Sequence, residues 1–152
     1  MQIINNENEF KILIRTRIQK KKYTTKTGEQ YQYTATLPVF LVELFQVEKV
    51  EKKEGFISFE FYKWNYKTCL DLSKVVNTYE WENYSTYIDG VYTRAYSLES
   101  GTYKIGLSRK FFEELDPSHD MDLLYIVHTD RTRFNNVLGL VEVQIIHNDM
   151  EE

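Results

Sequence analysis

Cysteine, proline and glycine are all scarce in this sequence. Cys69 is the single cysteine, so no disulfide can form within the chain, and a reducing compartment is the simplest interpretation. Six glycines and two prolines in 152 residues favour long strands joined by short turns and argue against a disordered chain. The length is sufficient for one domain with its own core, so we expect a single domain over residues 1–152.

Targeting and membrane signals are also missing. The N-terminal residues MQIINNENEF lack both the basic start and the apolar run of a secretory signal. No segment approaches the ~20 apolar residues that a membrane-spanning helix requires. We therefore expect a cytoplasmic protein that does not act on membranes.

Motifs for catalysis and metal binding are missing as well. The sequence contains no nucleophile elbow, no phosphate-binding glycine loop and no Cys/His constellation. Glu113 and Glu114 are adjacent on a predicted helix and face different ways, so they do not form an acid and base pair. One cluster has metal-ligand chemistry, but its spacing matches no zinc pattern: His119, Asp120, Asp122 and His128. We predict neither an enzyme nor a cofactor.

The N-terminal third predicts a long hairpin. Residues 10–18 alternate between apolar and basic side chains, which is typical of a half-buried strand; the apolar set is Phe10, Ile12, Ile14 and Ile18. The segment Thr27-Gly28-Glu29 predicts a turn, and a second alternating strand follows with Tyr31, Tyr33, Ala35 and Leu37.

A short helix and a strand are predicted next. Pro38 suits the first helical position, because its missing N–H would have no partner there in any case. Phe40, Leu41, Leu44 and Phe45 then recur at helical spacing, which predicts a helix ending near Gln46. Residues 56–62 predict a strand, and residues 64–83 give no clear signal.

The second half predicts a similar series of elements. Asp89-Gly90 separates two runs rich in β-branched and aromatic residues, which predicts a hairpin with a type I′ turn. A strand over 103–107 leads to Ser108, a candidate N-cap for a helix that buries Phe111, Phe112 and Leu115 and stops at Asp116-Pro117. Strands are predicted from MDLLYIVHT and from VLGLVEVQII.

The two series indicate an internal repeat. Repeat-like halves cover about 10–63 and 84–130, joined by the connecting segment 64–83 and followed by a C-terminal strand at 137–146. Leu37 and Leu107 mark the same break in each half and lie 70 residues apart. The predicted fold class is mainly β with two or three short helices.

This pattern resembles the AbrB-like, swapped-hairpin family of DNA-binding regulators. The matching residues are Thr36, Leu37 and Pro38, followed by the helix through Phe45 and the strand from Phe56; Leu107-Ser108 replaces Leu-Pro in the second copy. In that family two hairpins interlock across a dimer axis. The resemblance implies a swapped-hairpin β-barrel pseudo-dimer built from two strand-helix-strand repeats, and a role in transcription regulation.

Positive charge is concentrated in the first hairpin. The segment from Lys11 to Gly28 contains no acidic residue, whereas the rest of the chain has 12 basic and 23 acidic residues. Lysine and arginine neutralise phosphates, and arginine also pairs with guanine edges. We therefore predict contact with nucleic acid, duplex DNA being favoured, through Lys11, Arg15, Arg17, Lys20, Lys21, Lys22 and Lys26.

Other functions stay open on the sequence alone. The lysines could simply guard a strand edge against aggregation, in a non-enzymatic protein-interaction or structural module, of viral or mobile-element origin, that binds a protein partner. Single-stranded nucleic acid is a further alternative, because bases stack on exposed rings, here those of Tyr23, Tyr31 and Tyr33. A homodimer is also left open.

Overall fold

The computed structural model describes residues 1–6, 10–44, 56–64, 67–72, 89–97, 102–109, 111–128 and 140–148. Within these ranges the chain is mainly β, with nine strands and one short helix. The elements are β1 (Gln2–Asn5), β2 (Phe10–Thr25), β3 (Gly28–Leu37), α1 (Val39–Leu44), β4 (Phe56–Trp64), β5 (Lys67–Asp71), β6 (Asp89–Ser97), β7 (Tyr103–Leu107), β8 (Met121–His128) and β9 (Leu140–His147). No helix among the described residues has the length and apolar character to cross a membrane.

All nine strands belong to one curled antiparallel sheet. Their order is β1-β2-β3-β7-β6-β4-β5-β9-β8, and β8 pairs with β2 as well as with β9. The pairings from β2 round to β8 therefore form a ring of eight strands, and β1 is attached to the start of β2.

The pairing scheme has an internal correspondence. Among the eight strands of the ring, exchanging β2 with β6, β3 with β7, β4 with β8 and β5 with β9 gives the same set of pairings. The β4 strand pairs with β6, and β8 pairs with β2, so these two pairings correspond to each other in the scheme. The β3–β7 ladder is centred on Ala35 opposite Ile105, which are 70 residues apart.

The core lies on one face of this sheet, as the alternation predicts. Tyr33, Ala35 and Leu37 of β3 are buried, and the residues between them are only half-buried. The same alternation in β7 buries Tyr103, Ile105 and Leu107. Ile12 and Ile14 of β2 pack against this core, and Ile18 is part of it. The predicted strand faces of β2 and β3 are confirmed.

Tyr125 of β8 is fully buried, and its hydroxyl donates a hydrogen bond to the Thr36 carbonyl oxygen at 3.1 Å. Burial raises the pKa of Tyr125, because the phenolate would lose its hydration. The hydroxyl therefore stays protonated and ties β8 to β3 across the interior.

The helix predicted after Pro38 is present within the described residues. The Pro38 carbonyl oxygen accepts the N–H groups of Leu41 and Val42 at 3.0 and 3.1 Å, and α1 spans Val39–Leu44. Leu41 and Val42 are buried, whereas Leu44, which was expected inside, is 49% exposed. Phe45 and Gln46 lie outside the described residues.

The second predicted helix, after Ser108, is wrong. The Ser108 carbonyl oxygen accepts the N–H groups of Phe111 and Phe112 at 3.1 and 2.8 Å, as Pro38 does 70 residues earlier, but the chain continues in turns. Phe111, Phe112 and Leu115 are buried as predicted. Phe111 and Phe112 contact each other and Phe61 of β4 with ring centroids 4.9–6.0 Å apart, so tertiary packing overrides the local preference for a helix.

The predicted Asp89-Gly90 turn is also wrong. Both residues lie in β6, where they pair with Lys63 and Tyr62 of β4. The β4–β6 ladder extends over eight residue pairs, so its hydrogen bonds outweigh a local preference of two residues for a turn. The run STYI before Asp89 lies outside the described residues. The β5 strand, which had no sequence signal, lies within 64–83 and joins β4 to β9.

Gly28 follows the turn at Lys26 and Thr27 and has a φ of 122°, a region that favours glycine. A Cβ atom there would meet nothing within 4 Å, so alanine would cost backbone strain only. We expect Gly28→Ala to destabilise the fold by about 1 kcal/mol, lowering the midpoint of thermal unfolding by about 2–4 °C.

Thermal unfolding followed by circular dichroism measures this effect. Lys26→Ala is the matched control, because Lys26 is exposed in the same turn, and it should change stability by less than about 0.5 kcal/mol. Equal midpoints for the two variants would contradict a strained Gly28.

Candidate nucleic-acid interface

The β2–β3 hairpin extends beyond the rest of the sheet. The β2–β8 ladder ends at Arg17 opposite Asp122, and the β3–β7 ladder begins at Tyr33 opposite Leu107. From Lys21 to Gln32, the described strands pair only with each other, in five residue pairs. We call residues 21–32 the arm. At about 3.3 Å per residue it is roughly 15 Å long.

Alternation divides the predicted basic residues between two faces of the hairpin. Cross-strand partners share a face, so Lys20 and Lys22 lie on the side of Tyr33 and Tyr31, which continues the buried face of Ile18. We call this the inner face. The outer face is the opposite side and includes Lys11, Arg15, Arg17, Gln19, Lys21 and Tyr23, whereas Lys26 lies in the turn. The seven residues therefore do not form one surface.

Arg15 and Arg17 of the outer face share one carboxylate. Arg15 Nε lies 3.2 Å from Asp122 Oδ2, and Arg17 Nε lies 3.1 Å from Asp122 Oδ1. Arg15 Nη2 also donates to Asn148 Oδ1, and Arg17 Nη1 lies 3.8 Å from Asp120 Oδ1. The arginine side chains are 41% and 60% exposed. They are thus held side by side at the surface.

Asp120 and Asp122, considered above as metal ligands, instead act as counter-charges to these arginines. The described residues contain no group of three His, Cys, Asp or Glu side chains that could hold a metal ion. The Asp122 side chain is 17% exposed, but the arginines that it contacts are accessible from solvent, so a phosphate can compete with the carboxylate for them. Sequence reasoning missed the pairing because Arg15 and Asp122 are 107 residues apart.

Lys20 has a structural position on the inner face. Its ammonium donates to the carbonyl oxygens of Pro117 and His119, both at 2.9 Å. Asp116 shapes the same loop, because its Oδ1 accepts both the N–H and the hydroxyl of Ser118 at 2.9 and 2.7 Å. These hydrogen bonds lower the pKa of Asp116. Lys20 therefore secures the loop before β8.

The other lysines differ in their surroundings. Lys22 lies 3.0 Å from Glu29, whereas Lys21 and Lys26 have no ion-pair partner within the described part of the chain. Lys11 is half-buried in the sheet. Lys104 of β7 joins the outer face, since it is opposite Thr36 in the ladder and its Nζ donates to Gln19 Oε1 at 2.8 Å. The exposed positive charge of this face comes from Arg15, Arg17 and Lys21, and the half-buried Lys104 lies beside them.

A groove of about 880 Å³ lies beside the inner face; its lining includes Tyr31, Tyr33, Leu107, Ser108 and Arg109. The rings of Tyr31 and Tyr33 stack with centroids 6.5 Å apart and an interplanar angle of 30°. Tyr33 is 2% exposed, and its hydroxyl has no hydrogen-bond partner among the described residues. Burial raises the pKa of the Tyr33 hydroxyl, so it stays protonated.

Tyr23 belongs to this groove only in part. It lies on the outer face of the arm, is 42% exposed, and its hydroxyl donates to Gln30 Oε1 at 3.0 Å. Tyr31 and Tyr33 lie on the same face of β3, as the sequence predicts for residues two positions apart. Tyr23 lies on the opposite face of the hairpin, because it is paired with Gln30.

No protein-family model matches the chain, and no curated protein or solved structure matches it either. The functional proposal therefore depends on the strand pairing, the arm and the charges of its outer face.

Proposed function

We propose that this protein binds duplex DNA through the outer face of the β2–β3 hairpin and is a regulator of the AbrB-like, swapped-hairpin type with both hairpins in one chain. The observation that carries the proposal is the exchange of closing strands, in which β4 pairs with β6 and β8 pairs with β2. A swapped-hairpin dimer fused into a single chain requires this exchange.

The two breaks in the repeat support the same proposal. Leu37 is opposite Tyr103, and Leu107 is opposite Tyr33, so the two leucines occupy equivalent places about the centre of the β3–β7 ladder. The carbonyl oxygens of Pro38 and Ser108, which follow these leucines, accept equivalent hydrogen bonds. These correspondences favour two related units over an accidental resemblance in sequence.

The arm suits the major groove of DNA. The major groove admits a two-stranded β-ribbon, and the arm is such a ribbon, with the exposed Lys21 on its outer face and the exposed Lys26 in its turn. Arg15, Arg17 and Lys104 lie at its base, where they would contact flanking phosphates. Gln30 and Gln32 are exposed on the outer face, and glutamine amides can pair with adenine edges.

A salt titration of duplex binding tests the proposal. We expect fluorescence anisotropy with a duplex of about 20 base pairs to show a logarithmic affinity that falls linearly with the logarithm of salt concentration. Four phosphate contacts, from Arg15, Arg17, Lys21 and the half-buried Lys104, predict a slope of about −3.6. Absence of binding at low salt, or capture of a protein partner that is insensitive to salt, would overturn it.

A further inference from the structure

The groove beside the inner face is lined by inner-face residues and by residues 107–109, and Tyr23, Gln30 and Gln32 of the outer face also border it. We propose that the groove beside Tyr31, Tyr33 and Arg109 binds a nucleotide, with its base against Tyr31, a polar base atom on the Tyr33 hydroxyl, and its phosphate on Arg109. The choice of ligand rests on the proposed nucleic-acid function. Two ligands carry the required aromatic base joined to a phosphate. One is an unpaired nucleotide within a strand, and the other is a free mononucleotide.

The Tyr33 hydroxyl is the principal observation. It is buried in a side chain that is 2% exposed, and it has no partner among the described residues, although Tyr33 is one of the residues that line the groove. A buried hydroxyl without a hydrogen bond is unfavourable, and phenylalanine would fill the same space without that cost. A ligand atom that hydrogen-bonds to this hydroxyl removes the penalty.

The aromatic lining is suited to a base. Tyr31 is half-buried and stacks against Tyr33, so its ring is held in place by packing while part of it borders the groove. Stacking on such a ring accepts any base, because every base has a π-face. The volume of about 880 Å³ lies in the range of sites that hold small molecules.

The charges around the groove favour an anion on one side. Arg109 is exposed, and it lines the same groove as Tyr33. Glu29 also lines the groove, but Lys22 neutralises it at 3.0 Å. A phosphate is therefore expected on the Arg109 side.

Calorimetric titration of the full chain with 5′-AMP, adenosine and a thymidine decanucleotide tests the site. We expect Tyr33→Phe to weaken AMP binding about tenfold with an unchanged or raised unfolding midpoint, and Tyr31→Ala to weaken it at least about tenfold. Arg109→Ala should weaken AMP binding about tenfold but leave adenosine binding unchanged, since adenosine has no phosphate.

The controls separate this site from the outer face. Lys21→Ala should leave AMP binding unchanged, and Tyr33→Phe should leave duplex binding unchanged. Tighter binding of the decanucleotide than of AMP, with a loss in Tyr31→Ala but not in Lys21→Ala, would identify an unpaired strand as the source, and the reverse order of affinity would identify a free mononucleotide. Decanucleotide binding that is lost in Lys21→Ala but kept in Tyr31→Ala belongs to the outer face and would contradict the site as the place where a strand binds. Failure of both ligands to bind at about 10 mM, near the weak limit of specific affinity, or equal binding by the stabilised Tyr33→Phe variant, would overturn it.

Discussion

The Arg17→Ala/Lys21→Ala variant is expected to bind duplex DNA about 30- to 100-fold more weakly than the unmodified protein at about 0.1 M salt. Both side chains lie on the outer face, Arg17 with a 60% exposed side chain and Lys21 without an ion-pair partner among the described residues. Each removed phosphate contact also removes about 0.9 from the salt slope, so the slope should become shallower by about 1.8. Anisotropy titrations at several salt concentrations measure both effects.

Lys21 and Lys22 provide a matched control within the arm. They are adjacent and carry the same charge, but they lie on opposite faces, and Lys22 is paired with Glu29 at 3.0 Å. We expect Lys21→Ala to reduce affinity about five- to tenfold and Lys22→Ala to reduce it less than about twofold. Equal losses in the two variants would show that only total charge matters and would contradict an outer binding face.

Asp122→Asn should act in the opposite direction in the same assay. The carboxylate of Asp122 holds both Arg15 and Arg17, so its neutralisation removes a competitor for the incoming phosphate. We expect affinity to rise about threefold, with a loss of stability of about 1 kcal/mol or less from the exposed ion pairs. A loss of affinity would indicate that Asp122 positions the arginines for binding.

Phe61→Ala is expected to lower the free energy of unfolding by about 3–5 kcal/mol, the range for removing a buried phenylalanine. Phe61 of β4 is 1% exposed and packs edge-on against Phe112 at 4.9 Å and against Phe111 at 6.0 Å. Alanine would leave a cavity at the place where β4 of the first half meets the buried turn of the second. The loss is a large part of the ~5–15 kcal/mol that stabilises a typical domain.

Urea unfolding followed by fluorescence measures the effect of Phe61→Ala. Val39→Ala is the control, because Val39 is 64% exposed on α1, and it should change stability by less than about 0.5 kcal/mol. A loss below about 1 kcal/mol for Phe61→Ala would contradict the central place of this aromatic cluster in the core.

Local patterns were sufficient for the first hairpin and for part of the site. A period of two along β2 and β3 predicted which side chains are buried, and Pro38 predicted where the helix begins. The same period, continued past Ile18, also indicates that Lys20 and Lys22 lie opposite to Arg15 and Arg17. That signal was available in the sequence, but the basic run was interpreted as one surface.

Features that depend on distant partners could not be predicted. The Asp89-Gly90 pair has strong turn character, yet its backbone hydrogen bonds go to β4 across a ladder that the sequence does not specify. The clamp of Arg15 and Arg17 on Asp122 depends on the β2–β8 register in the same way. Local propensity competes poorly with a long ladder, because each added pair supplies further hydrogen bonds and cross-strand contacts.

The pairing of β2 with β8 has a consequence for how the protein folds. Residues 11–17 pair with residues 122–128, so the ring of strands closes through contacts between opposite ends of the chain. Closing such a long loop has a large entropic cost, and this cost slows the folding reaction. The β2–β3 hairpin can pair within itself as soon as it is synthesised, but residues 11–17 of β2 also pair with β8. During synthesis we therefore expect this edge of β2 to stay open until β8 has emerged from the ribosome, and closure of the ring to come late in folding.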